Sequence, residues 1–590
     1  MPTSPHAPSR PLRVANCSGF YGDRLSAARE MVEGGPIDVL TGDWLAELTM
    51  LILAGNRLKG RPGYAPTFLR QLEDVLGQCL ERGIKIVTNA GGLDPAGCAE
   101  AVHELAARLG LSPRVAHVTG DDLTGRDLDL VNADTGEKLR AAPLTANAYL
   151  GGRPIAAALS AGADVVVTGR VTDAALVTGP GIWRYGWQPD DLDPLAGSVV
   201  AGHIIECGCQ ATGGNYAFFG EVPDLAHCGF PIAELHADGS SVITKHPGTG
   251  GLVSIGTVTA QLLYEIASPR YQGPDVVARF DTIGLSDDGP DRVRVTGARG
   301  EPPPASLKVA VNYLAGYRNT MTLVLTGLDV EAKARVAEEA IWARIAKDSF
   351  DQVDVTLTDS GLLRITVMDG DQHRAGRAFS SAVVETGLAS YPGFYGLTPP
   401  GPASPYGVYW PVLAPASQVR AEVFLDGEPV PLAAAPAARA GEEARPEEAP
   451  RGDAAPPPGG RLVRLPLGRI AGARSGDKGG NANLGVWTGT AEQYGWLAGH
   501  LTTERLKALL PALAPHRVDR YELPNLNALN FVVHGLLGRG VAASPRMDPQ
   551  AKALGEELRA REVDLPESLL PRPPGEARPG AAGLAAGESL

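Results

Sequence analysis

Three segments set an ionisable side chain among glycines, at spacings that could transform a small acid. Asp43 lies in Thr41-Gly-Asp43, and Glu206 in His203-Ile-Ile-Glu-Cys-Gly-Cys-Gln-Ala-Thr-Gly-Gly-Asn215. His246 lies in Thr244-Lys-His-Pro-Gly-Thr-Gly-Gly251. Carboxyl and imidazole groups are general acids and bases, and glycine-rich backbone offers unhindered N–H donors to an anion. Asp43, Glu206 and His246 are therefore the catalytic candidates. A structural turn would account for the glycines near His246, but it does not call for Lys-His. His203, Glu206, Cys207 and Cys209 invite a zinc reading. C-x-C is too short for the usual zinc knuckle and no second cysteine pair stands nearby, so no metal is expected.

Groups able to hold a substrate lie in similar loops. Ser18-Gly-Phe-Tyr-Gly-Asp-Arg24 contributes Ser18, Asp23 and Arg24, and Thr88-Asn-Ala-Gly-Gly92 contributes Asn89, Gly91 and Gly92. Thr168-Gly-Arg-Val-Thr-Asp173 contributes Arg170 and Asp173. Gly213, Gly214, Asn215 and Lys245 complete the set, the arginines and lysine being suited to a carboxylate or phosphate. Near the C-terminus, Arg474, Ser475, Asp477, Lys478, Asn481 and Asn483 surround three glycines. A bare hairpin turn needs only about two to five residues, so this loop is expected to meet a ligand or form an interface. The spacing at residues 18–24 is neither the dinucleotide fingerprint nor a P-loop, and neither G-x-S-x-G nor H-E-x-x-H occurs. No cofactor is expected, and a serine hydrolase, zincin or NTPase has no local support.

The elements that must position these groups follow from periodicity. Apolar β-like runs at residues 12–15, 37–40, 84–87, 115–118 and 164–167 alternate with helix-like segments at 44–54, 68–81 and 95–109. Alternating β and α units predict a mostly parallel sheet covered by helices. Each run ends in a small, polar, Gly-containing loop, at the sheet edge where open α/β folds bind ligands. Helix caps and tight turns use the same residues, so the five loops together carry the inference. Residues 195–304 are rich in Gly and His and show no clear period.

Further along, strands are expected at 307–311, 321–325, 353–357 and 363–367, with helices at 331–346 and near 378–386. The expected class is thus α/β: a layered α/β part over 12–305, a β-rich α+β part over 306–432, and a small α+β domain over 461–540. An Ala/Pro/Glu-rich linker at 433–460 and a disordered tail at 565–590 are expected from composition. There is no fixed-period repeat.

The 590 residues exceed what one core usually supports. A net charge of -14 without any Lys/Arg-rich block disfavours nucleic acid or an anionic membrane as partner. No apolar run approaches the roughly 20 residues of a spanning helix, and residues 1–11 do not read as a secretory signal. Six sparse cysteines lack a disulfide spacing. A cytoplasmic homo-oligomer acting on a small molecule is the expectation.

Taken in order, the motifs resemble the acyclic terpene utilisation (AtuA-type) family. The resemblance is carried by Asn16-Cys-Ser-Gly-Phe-Tyr-Gly-Asp-Arg24, Thr41-Gly-Asp-Trp-Leu-Ala-Glu47, Asn89-Ala-Gly-Gly92, Gln210-Ala-Thr-Gly-Gly-Asn215 and Lys245-His-Pro-Gly-Thr-Gly-Gly251. It continues through Arg474-Ser-Gly-Asp-Lys-Gly479 and Arg520-Tyr-Glu-Leu-Pro-Asn-Leu-Asn-Ala-Leu-Asn-Phe531. It implies a large family domain, a ferredoxin-like C-terminal domain, and a setting in acyclic terpenoid catabolism beside acyl-CoA enzymes. Hydration, dehydration or lyase chemistry on a branched carboxylate or acyl-CoA fits the candidate groups without a redox cofactor. The alternatives are a non-catalytic subunit or scaffold for acyl-CoA-processing enzymes, and a metal-dependent enzyme.

Overall fold

A computed structural model describes residues 10–433 and 460–571. The five apolar runs become β1 (Leu12–Asn16), β2 (Val39–Gly42), β3 (Lys85–Thr88), β4 (Val115–Thr119) and, after the short β5 (Thr145–Ala148), β6 (Val165–Thr168). β1, β2, β3, β6 and β4 lie side by side in that order, every pair parallel. Their carboxyl ends therefore share one edge. On the far side of β1, β7 (Pro231–Leu235) and β8 (Ser241–Lys245) add antiparallel strands. Strand Glu422–Leu425 pairs antiparallel with β4 on the other side, within one 11-stranded sheet.

Helices cover both faces because their apolar stripes have no other place to go. α1 (Ala27–Glu33), α3 (Pro66–Arg82) and α4 (Pro95–Arg108) pack one face through Met31, Phe68, Leu72, Val75 and Val102. Pro66 and Pro95 sit in the first turns, where the missing N–H costs nothing. α5 (Arg153–Ser160), α6 (Ala175–Tyr185) and α7 (Leu192–Ile205) cover the other. α7 is buried at every position from Leu195 to Ile205, and its sequence is accordingly apolar on all sides apart from Ser198 and His203. α2 (Glu47–Leu58) begins just after β2.

A second sheet is built on one long strand, Ser306–Val324, where two strands were expected at 307–311 and 321–325. The intervening Tyr317, Arg318 and Asn319 look like a break, but their backbones stay in register with Leu362–Asp369. The strand also pairs with Ser404–Pro415, shifting register at Leu314/Gly316. Gly316, at φ 145, adopts a backbone that L-side chains avoid. β5 pairs with this strand while Glu422–Leu425 returns to the first sheet. The boundary expected at 305/306 is thus crossed in both directions, and the two parts interlock.

The C-terminal part is a four-stranded antiparallel sheet: Ala471–Lys478, Asn481–Thr488, Ala528–Val533 and Val518–Leu523. Helices Ala491–His500 and Thr503–Leu509 are capped by the Thr490 and Thr502 hydroxyls and bury Trp496, Leu497 and Leu506 against Leu484, Val486 and Phe531. The domain does not stop at 540. Glu562–Pro566 pairs with Leu462–Pro466, and Leu558, Val563 and Leu565 enter the core. Residues 565–571 accordingly belong to the domain. The rest of the expected tail, and nearly all of the expected linker, lie outside the described residues.

Candidate functional site

A cavity of about 1180 Å³ opens at the carboxyl edge of the parallel strands, with walls from all three parts of the chain. Its floor includes Asp43, Arg170, Asp173 and Glu206, the second sheet contributes Lys308 and Tyr409, and the C-terminal hairpin contributes Asp477 and Lys478.

Asp43 follows β2, and its position is fixed from several sides. Its N–H donates to the Ser18 carbonyl (2.9 Å), while its Oδ1 accepts from Leu45 N (3.0 Å) and Asn89 Nδ2 (2.5 Å). Asn89 Oδ1 accepts in turn from Trp44 N (2.8 Å). Burial, together with the nearby charge of Asp173, raises the Asp43 carboxyl well above the usual range. Glu206 caps α7 and is held by Asn16, whose Nδ2 donates to its carbonyl (3.3 Å). Burial and the neighbouring Asp173 and Glu265 raise it in the same direction. Its Oε1 lies 3.2 Å from His203 Nδ1, and its Oε2 has no partner. His203 packs against Tyr271 and Phe280, and burial lowers it to about 4, so the ring is neutral at pH 7. The turn that carries Glu206 presses on the loop after β1: a Cβ on Gly19 would lie 2.6 Å from the Cys207 carbonyl carbon.

Arg170, only 2% exposed, sits at the centre of this floor. Its guanidinium donates to the Leu45 carbonyl (2.9 Å) and to Asp173 Oδ1 (2.8 Å), and lies 4.3 Å from the centre of the Tyr149 ring. Its Nε is buried without a partner. Lys308 Nζ stands over the Tyr149 and Tyr409 rings and 3.5 Å from Glu47 Oε1. Burial works to raise Glu47, but Lys308, Arg170 and Lys478 together hold it at about 2. The Tyr409 hydroxyl is buried without a partner.

Of the expected catalytic residues, Asp43 and Glu206 meet in this cavity. His246 does not. Its ring packs between α1 and the 34–35 turn, with Nε2 2.9 Å from the Met31 carbonyl, and Lys245 is paired with Asp291 and the Thr249 carbonyl. β8 runs in the same direction as β1, so that loop starts at the shared edge, but two strands outward from β1, and His246 turns onto α1 instead of into the cavity. Asp23, Arg170, Asp173, Gly214, Asn215, Asp477, Lys478 and Asn481 line the cavity. Arg24 stands behind it on Glu30 and the Cys228 carbonyl. Ser18 and Asn89 support Asp43, while Gly91 packs against the Thr168 carbonyl, Gly92 against Leu53 and Gly213 against Val222. Ser475 is tied to Gly555 N and the Lys552 carbonyl. Arg474 and Asn483 bridge to the large domain, as described below. Glu47, Tyr149, Glu265, Tyr271, Lys308, Tyr409 and Lys552 also line the cavity without having been singled out. Only Glu47 lay within a quoted motif. Lys308 lies in an ordinary strand pattern, and Tyr149 and Tyr271 read as core aromatics.

Among the described residues no three His, Cys, Asp or Glu side chains group closely enough to hold a metal ion, and no helix is long and apolar enough to cross a membrane. The model of the acyclic terpene utilisation family protein AtuA matches residues 12–425. The chain belongs to the AtuA family. Residues 465–564 match the AtuA ferredoxin-like domain, the same segment that folds here as the C-terminal sheet and its helices. Membership supports a role for this AtuA family protein in acyclic terpene utilisation. No curated protein and no solved structure matches the chain.

Proposed function

We propose that the protein is an enzyme of acyclic terpenoid or branched-chain acyl breakdown, adding or removing water, or cleaving a carbon–carbon bond, at a branched carboxylate or its CoA thioester. The observation that supports this most is the pairing of Asp43 and Glu206 on one buried floor around Arg170. Both carboxyls are pushed toward the protonated form, and the shared neighbour Asp173 makes ionising both at once costly. One can therefore give a proton while the other takes one. In hydration of a conjugated acyl group, the base removes a proton from water as its oxygen bonds the β-carbon. The electron pair of the double bond moves onto the carbonyl, and the acid then protonates the α-carbon. Dehydration is the reverse.

The positive charges of Arg170 and Lys308 on the cavity wall suit a substrate carboxylate or an enolate oxygen. The mouth is apolar. Phe20, Leu48, Ile52 and Leu413 line it and are 59%, 39%, 41% and 51% exposed, a surface that suits a branched hydrocarbon tail. The volume exceeds the roughly 300–1,000 Å³ usual for small-ligand sites, leaving room for part of a carrier.

The test is a thermal-shift screen with branched acyl-CoAs and their free acids, followed by turnover of whichever compound binds. Asp43→Asn and Glu206→Gln should each lower kcat by about 10²–10⁴, the usual weight of a general acid or base, with the thermal shift retained. If no acid or thioester binds, the scaffold reading gains, and partner enzymes should be sought by pull-down.

A further inference from the structure

The polar residues of the C-terminal motif divide into two groups. Arg474 and Asn483, with Asn525 and Asn530 of the later motif, dock the small domain. Arg474 bonds Gln210 and the Asn215 carbonyl. Asn525 donates to the Phe280 and Ile283 carbonyls (2.9 Å each), and Asn530 to the Ala267 carbonyl (2.9 Å). Gly476 lies so close to Tyr264 that a Cβ would come within 2.5 Å of its ring. The hairpin then delivers Asp477, Lys478 and Asn481 into the cavity.

One docking bond does more than dock. Asn483 Oδ1 accepts from the N–H of Glu265 (2.8 Å). Glu265 is a cavity-wall residue at φ 57, a left-handed backbone that a glutamate adopts only under constraint. Such strain persists when the surroundings over-determine it, and here one of the ties on the residue comes from the other domain.

We propose that Glu265 and Asp477, one from each domain, form a second proton-holding carboxyl pair on the cavity, with Asn483 as the positioning residue that keeps Glu265 in place. The small domain is then a catalytic half of the enzyme, and the pair stores the proton that the Asp43–Glu206 floor exchanges. The inference rests on the reading of this cavity as the substrate site. The groups facing the pair are Glu47, Glu206, Cys207, Tyr264, Lys478 and Lys552. Burial, then Glu265 and Glu47, push Asp477 up to about 8, and burial raises Glu265.

Difference infrared spectra of the full chain across a pH titration test this without any substrate. The intact protein should lose a protonated-carboxyl band as pH rises through about 8. Asp477→Asn should lack that loss, and Glu265→Gln and Asn483→Ala should each move its midpoint to lower pH, since a like charge is removed or displaced. Both carboxyl variants keep the side-chain shape, so the fold is retained. An unchanged band in Asp477→Asn, or an unmoved midpoint in Glu265→Gln, would overturn the pair. Turnover separates this result from the functional reading. If Asp43→Asn and Glu206→Gln abolish activity while Asp477→Asn leaves the pH profile unmoved, the second pair fails and the enzyme reading stands. If none of them affects turnover, the assignment of Asp43 and Glu206 as acid and base fails, and if no compound is turned over the enzyme reading fails, while the infrared titration still decides the pair.

Discussion

Arg170 is itself buried and faces Asp173 and Asp43 across the cavity floor, and its removal exposes what it does. Arg170→Met keeps much of the bulk and the contact with Tyr149 but leaves the buried Asp43 and the partly exposed Asp173 without their cation. Breaking a buried pair from one side costs about 3–5 kcal/mol, so urea denaturation should show a loss of that order, larger at alkaline pH than at acid pH. Asp477 makes a separate prediction. Its folded value is about 8 and its unfolded value about 3.9. Between these limits the folded state binds the proton and the unfolded state does not, so stability falls as pH rises from about 4 to about 8. Asp477→Asn removes that dependence. Its melting temperature should exceed the parent's above pH 8, with the difference shrinking toward acid pH. Glu47 has the opposite sign. Held at about 2, it adds stability that is present at neutral pH and lost as pH falls from about 4.3 toward 2.

At the scale of elements, close glycine contacts set how the small domain meets the large one. A Cβ on Gly485 would overlap the Leu263 side chain at its root, where no rotamer change can relieve it. Gly485→Ala should therefore cost about 1–3 kcal/mol, the usual penalty for overpacking, and should weaken ligand binding too, because the same strand pair carries Asp477 and Lys478. Melting temperature and a ligand titration on the one variant check both effects. Much of this scale was legible in the sequence. Each of the five parallel strands announces itself by an apolar run and a polar Gly-containing loop, and that pattern leads directly to Asp43, Asn89 and Arg170. What could not be read depends on pairing between distant segments. Nothing local to Ser306–Val324 tells that Lys308 will stand over Tyr149, or that Tyr317–Asn319 continues the ladder. Glu265 is tied to Asn483, a residue far along the chain, so no local pattern marks that contact. His246 carried suitable chemistry in a suitable loop. It does not reach the cavity because its strand lies two places outward from β1 and its ring turns onto the Met31 carbonyl of α1.

At the scale of the molecule, the cavity has walls from both domains, so a ligand bound there should stabilise both. In scanning calorimetry a saturating acid or thioester should move the unfolding of the two domains upward together, by roughly 2.7 kcal/mol at a hundredfold excess over Kd. A ligand that raised the large domain's transition alone would place its contacts on the Asp43–Glu206 floor without the hairpin.

The return of Glu422–Leu425 to β4 also matters during synthesis. At about 5–20 residues per second, roughly 15–60 s separate the translation of β4 from that of its outer neighbour. Throughout that interval β4 can present a bare hydrogen-bonding edge to other nascent chains, the condition under which strands pair with the wrong partner. β5, similarly, has to wait for Ser306–Val324. High contact order of this kind slows folding, so the yield of soluble protein should rise when a chaperone shields the growing chain, even in variants whose final stability is unchanged.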